Sequence, residues 1–118
     1  MIEKKNTNEL LGELKESQDG TLVVELAQNA SYSIAYGTLE PKQGNKRHRL
    51  SSSETYFFLE GEGILIFDDQ KIPVQKNMLV TVPENCSQKL VNTSEKKLTF
   101  LMIVSPPYNV SQEWIEED

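Results

Sequence analysis

His48–Phe67 runs HRLSSSETYFFLEGEGILIF, two apolar and aromatic runs separated by glycines. Thr55–Leu59 reads as one strand, Ile64–Phe67 as the next, and Glu60-Gly61-Glu62-Gly63 as the turn that joins them. Residues two apart on a strand share a face, so if His48 points inward then Leu50 does too. Arg47 and Arg49 then point away, and the basic cluster Lys46-Arg47-Arg49 reads as a solvated outer face or rim.

The same texture extends in both directions. Asp68-Asp69-Gln70 turns the chain into Lys71–Gln75, Lys76-Asn77 leads into Met78–Val82, and Pro83-Glu84-Asn85 precedes Ser87–Val91. Asn92-Thr93-Ser94-Glu95 then leads to a last long strand, Leu98–Val104. Short strands broken by turns at intervals of about ten residues indicate an antiparallel sandwich or barrel, here from about residue 20 to 105. Before it, Leu10, Leu11 and Leu14 recur at helical spacing behind Thr7 or Asn8, which predicts a short capped helix over about 7–16. After it, Ser105-Pro106-Pro107 ends strand pairing and opens a tail, 105–118, in which Ser111–Glu116 reads as a helical turn packing Trp114. The 118 residues contain no repeat or linker and are read as one domain, 1–118.

Composition excludes several chemistries. With one histidine, His48, and one cysteine, Cys86, the chain can form neither an internal disulfide, a four-ligand zinc finger nor a two-histidine zincin helix. The net charge of −6 opposes binding to a phosphate backbone, so nucleic acid is not an expected partner. The sequence offers no apolar run long enough for a bilayer span, and a lone cysteine suits a reducing compartment; the expected location is the cytoplasm. Cys86 itself reads as a small buried hydrophobe.

The spacing around His48 is also specific. His48, Glu54 and Gly61 resemble the first motif of the cupin superfamily, which runs His-x-His, three or four residues, Glu, six residues, Gly; Leu50 stands where the second histidine belongs, and Lys42 where a leading glycine does. The second cupin motif, Gly, five residues, Pro-x-Gly, two residues, His, three residues, Asn, is matched interval for interval by Asn77, Pro83-Glu84-Asn85, Gln88 and Asn92. Asparagine is the non-glycine residue that best tolerates a left-handed turn, so Asn77 and Asn85 keep the scaffold demand. Leu50 and Gln88 do not keep the imidazoles.

The resemblance implies an all-β cupin fold, a double-stranded β-helix or jelly-roll-like antiparallel barrel of six to eight strands, with the short N-terminal helix outside it. It implies a pocket of His48, Leu50, Glu54, Tyr56 and Gln88 that takes a small polar molecule. Three readings of that pocket stay open. In the first, His48, Glu54 and the Gln88 amide oxygen hold a divalent ion, Fe, Mn, Ni or Zn, with Lewis-acid chemistry at the open positions. In the second there is no metal, and His48 with Glu54 and a tyrosine, Tyr36 or Tyr56, does acid–base work as in sugar isomerases and epimerases. In the third the chain is a non-enzymatic dimerisation or ligand-sensing module. Cupins resemble one another in forming homodimers, and Thr21–Leu26, apolar on both faces, is the expected interface strand.

Overall fold

The computed structural model describes residues 2–117. A helical turn α1 (Thr7–Leu10) passes into a 3-10 turn (Leu11–Glu13), and eleven strands follow among the described residues: β1 (Lys15–Glu16), β2 (Leu22–Gln28), β3 (Ser33–Leu39), β4 (His48–Leu50), β5 (Ser53–Glu60), β6 (Glu62–Phe67), β7 (Gln70–Gln75), β8 (Leu79–Val82), β9 (Gln88–Asn92), β10 (Leu98–Ser105) and β11 (Glu113–Ile115). They form two antiparallel sheets, β1-β2-β3-β10-β5-β8 and β11-β4-β9-β6-β7, facing each other as a jelly-roll barrel. The count exceeds six to eight because β1, β4 and β11 are two- or three-residue strands, below the length at which alternation shows in a sequence.

The N-terminal helix is shorter than expected. Its cap is Asn6, whose side chain accepts from the Asn8 amide, and the helix gives way before Lys15, which pairs with Val23 at the sheet edge. The C-terminal expectation also changes. Ser111 lies in a 3-10 turn, but Glu113–Ile115 is a strand on β4, and Trp114 is 38% exposed with the Arg49 guanidinium 4.5 Å from its ring centroid. Alternation explains this: Glu113 is the buried member of the strand, so its neighbour Trp114 faces outward. The outward phase of the basic cluster is observed, since Arg47 reaches the Ser87 hydroxyl at 3.3 Å and Arg49 stands 3.7 Å from Glu116 on the outer side.

The core lies between the sheets. Phe58, Leu65, Leu90, Leu98 and Phe100 are each 0% exposed, and the rings of Tyr56, Phe58 and Phe100 stand 5.6–5.8 Å apart, centroid to centroid. Gly61 has φ +89°, and a Cβ there would lie 2.5 Å from the Lys97 carbonyl oxygen, which is the physical reason for that motif glycine. Asn77 (φ 74°) and Asn85 (φ 60°) adopt the left-handed conformation expected of them, and Lys42 (φ 65°) shows that the leading-glycine position keeps its conformation without its glycine. Cys86 is half-buried and packs against the core.

Strand β2 is not buried on both faces as its composition suggested. It closes the sheet between β1 and β3, with Val23 and Glu25 facing inward and Leu22 and Val24 half-buried on the outer side.

Candidate functional site

One end of the barrel is not filled. A cavity of about 230 Å³ opens there, and its apolar lining is Val23, Ala35, Leu50, Phe100, Met102 and Val104. Interspersed with these, often as register partners, stand Asp19, His48, Glu54, Tyr108 and Glu113, with Glu25 at the exposed rim. Four carboxyl groups and one imidazole therefore line the space, and no Lys or Arg among the described residues does.

His48 and Leu50 both point inward from β4, as their spacing required, and His48 is 2% exposed. Its Nδ1 is 2.7 Å from the Lys46 carbonyl oxygen. A carbonyl only accepts, so Nδ1 carries a proton, and Nε2 is the ring atom turned to the cavity. There it meets Asp19 Oδ2 at 3.4 Å.

The motif residues meet as a hydrogen-bonded chain. His48 and Gln88 are register partners across β4 and β9. The Tyr56 hydroxyl donates to Gln88 Oε1 at 2.6 Å, and Gln88 Nε2 donates to Glu54 Oε1 at 2.8 Å, all three buried. Burial pushes the Glu54 carboxyl up from 4.5 to about 7, against the opposing pull of His48 and of the Gln88 hydrogen bond. Burial, reinforced by the Glu54 charge, also raises the Tyr56 hydroxyl well above its ordinary value. Of the two tyrosines weighed for acid–base work, Tyr56 lines the cavity; Tyr36 alternates with the inward Ala35 and lies on the outer face.

Two acids that carry no motif complete the wall. Asp19 lies in the turn between β1 and β2, where its Oδ1 accepts from Ser17 Oγ and from the Thr21 amide, both at 2.9 Å, leaving Oδ2 to face His48. Its own carbonyl accepts from the Lys46 amide at 2.7 Å, which ties this turn to the approach to β4. Glu113 enters from β11, pairing with Leu50, and its Oε1 accepts from the Tyr108 hydroxyl at 2.7 Å. Burial raises both the Glu113 carboxyl and the Tyr108 hydroxyl. Asp19, His48 and Glu113 each offer a ligand atom within 4.8 Å of the others. Neither acid stood out in the sequence, because the first is one polar residue in a loop and the second sits in a three-residue strand. Asp19 had one local signal, the Asp19-Gly20-Thr21 run of an Asx-type turn.

The residue pattern and the fold are shared with known proteins. Residues 35–104, more than half of the chain, match the Cupin domain family. The chain is a cupin. An uncharacterized protein of Methanocaldococcus jannaschii is 27% identical to this cupin over 99 residues, 79% of each chain. Among solved structures, Streptomyces PAC13 with uridine superposes with a TM-score of 0.80 at 20% identity, over 99% of this cupin and 93% of that chain. A double-stranded β-helix protein from Klebsiella pneumoniae gives 0.78 at 11% identity over the whole of both chains. The polyketide cyclase RemF from Streptomyces resistomycificus gives 0.74 at 13%, over 90% of this cupin and 80% of that chain. At these identities the likeness is one of fold.

The metal-binding cupin pattern is kept here only in part. Leu50 offers no donor, and Gln88 has its amide committed at both ends, to Tyr56 and to Glu54. Only His48 and Glu54 of that pattern present a ligating atom to the cavity.

Proposed function

We propose that this cupin binds a small, hydroxyl-bearing molecule without negative charge in the cavity, held by a lining in which apolar and acidic side chains alternate. The observation that carries the reading is the lining itself: four carboxyl groups against one imidazole, with no Lys or Arg, repel phosphate and carboxylate ligands and attract donors. The volume, about 230 Å³, is below the range of drug-sized pockets and suits a compact metabolite. The absence of basic lining residues weighs against the sugar-phosphate isomerase reading. Glu54, with a carboxyl near neutrality, is the acid–base candidate, and His48 orients a polar group of the ligand. A divalent ion, Fe, Mn, Ni or Zn, in the same cavity forms part of this reading, and the reduced Cys86 is consistent with a cytoplasmic protein.

A thermal-shift panel tests it. Neutral polyols, uridine and small amines are compared with their phosphorylated or carboxylated counterparts at millimolar concentration, the class to which PAC13's uridine belongs being the first probe. Stabilisation by neutral or cationic members, absent with the anions, is the expected outcome; stabilisation by the anions alone would overturn the reading.

A specific observation supports a homodimer. Register places Val24, Tyr36, Leu101, Phe57 and Leu79 in one row across β2, β3, β10, β5 and β8. Each alternates with an inward residue, so the row lies on the outer face, half-buried except for Leu79, which is 65% exposed. Two copies of a chain with net charge −6 repel one another, and a charge-free strip is the surface on which they can meet. Sedimentation should give a dimer at micromolar concentration and a monomer for Leu101→Glu; a wild-type monomer would remove the claim.

A further inference from the structure

Three side chains, Asp19, His48 and Glu113, converge in the cavity, each with a ligand atom within 4.8 Å of the others. Asp19 Oδ2 is free because its Oδ1 takes both local hydrogen bonds. Glu113 takes the Tyr108 hydroxyl and the Gln18 amide on Oε1, which leaves Oε2 on the side of Asp19 and His48. His48 keeps Nε2 for the cavity because Nδ1–H is fixed on the Lys46 carbonyl, and its side chain is only 3% exposed. Buried acceptors that face each other are costly unless something positive lies among them.

We infer that Asp19, His48 and Glu113 form a divalent-cation site, built from one imidazole and two carboxylates, separate from the motif positions Glu54 and Gln88. The inference rests on the reading that this cavity holds a divalent ion, and it names the ligands. Spacing, charge and rigidity support it. Two ligands at about 2.0–2.1 Å from a tetrahedral ion stand about 3.4 Å apart. His48 Nε2 and Asp19 Oδ2 are 3.4 Å apart, and all three ligand atoms fall within 4.8 Å. Two carboxylates cancel the charge of a divalent ion, whereas the motif set brings one. Each ligand is also oriented by a second group: Ser17 and Thr21 on Asp19, the Lys46 carbonyl on His48, and Tyr108 on Glu113. Such outer partners set the direction of the ligating atom and its basicity. One nitrogen and two oxygen donors suit Zn, Mn or Fe(II) and leave coordination positions that face the ligand cavity.

The test uses untagged full-length protein, metal-stripped and titrated with Zn(II) or Mn(II) by calorimetry, with elemental analysis of the dialysed complex. Wild type should bind one ion per chain. Asp19→Asn and Glu113→Gln should each weaken binding about 10-fold or more, while Glu54→Gln stays within a few-fold of wild type. These changes keep side-chain shape, and Asp19→Asn keeps the Oδ1 acceptor; near-ultraviolet circular dichroism checks that each variant is folded. A second readout needs no variant. The chain has one histidine, so nitrogen-15 spectra report one ring, and Zn(II) should move the Nε2 signal while Nδ1 stays protonated. Loss of binding in Glu54→Gln with Asp19→Asn and Glu113→Gln unaffected would overturn this assignment and leave the ion on the motif residues. No ion in wild type, with an unmoved Nε2 signal under excess metal, would overturn both this assignment and the metal part of the proposed function, leaving the ligand panel to stand alone.

Discussion

Glu54 and Phe58 lie four residues apart on the same inward face of β5, and both are nearly inaccessible, at 5% and 0% exposure. Around Phe58 the space is closed by Leu65, Leu90, Leu98 and Phe100; around Glu54 it is lined by Gln88, His48 and a cavity. One end of the barrel is thus held by contact and the other by hydrogen bonds. Between them stands Tyr56, whose ring packs on Phe58 and Phe100 while its hydroxyl donates to Gln88. Burial alone does not distinguish a packing end from a chemical end. What distinguishes them is whether the buried groups satisfy one another or leave acceptors pointing into a space.

Four substitutions probe that contrast. Phe58→Ala should have the largest effect, a loss of about 3–5 kcal/mol of unfolding free energy from the lost burial and the hole it leaves. Urea denaturation checks it, and a loss below about 1 kcal/mol would mean that this end tolerates a hole as the other does.

Glu54→Gln should act in the opposite direction and depend on pH. The folded chain holds this carboxyl at about 7 against 4.5 ordinarily, so between those values the folded state keeps a proton that the unfolded state loses. Stability is therefore highest below 4.5, declines as pH rises towards 7 and levels off above it. The difference corresponds to on the order of 3 kcal/mol, and the glutamine variant should recover most of it at pH 8 and little at pH 4. Denaturation of metal-free protein at the two pH values measures this; equal effects at both would refute it.

Tyr56→Phe keeps the packing and strands the Gln88 oxygen, for a loss of about 1–2 kcal/mol. An unchanged midpoint would show that the hydroxyl contributes nothing to this end. Arg49→Ala should be the smallest, about 0.5–1 kcal/mol from the lost contacts with Trp114 and Glu116. Its effect should appear as faster amide exchange confined to Glu113–Ile115, the strand that carries one wall of the cavity.

The parts of this picture that were legible in the sequence are those set by short-range periodicity. The shared face of His48 and Leu50, the outward Arg47 and Arg49 and the left-handed Asn77 and Asn85 all follow from local backbone rules, and the structure shows each of them. The acids that complete the cavity wall were not legible. Asp19 comes from the β1–β2 turn and Glu113 from a three-residue strand, and neither lies within the stretch whose intervals match the family. Their meeting with His48 depends on tertiary pairing of segments far apart in the chain. The Trp114 expectation failed for a related reason: in so short an element helical and strand periods cannot be told apart, and only the pairing with β4 decides between them.

The wide separation of Asp19 and Glu113 along the chain has a consequence for synthesis. Chains emerge from the ribosome in order, and segments tend to fold as they appear. The β1–β2 turn and β4 are available early, but the wall they share lacks Glu113 until β11, which follows the other ten strands, has been made. A nascent chain that pairs its strands in order brings His48 to Asp19 before their third neighbour exists, so the cavity gains its full set of acids only once β11 has joined β4.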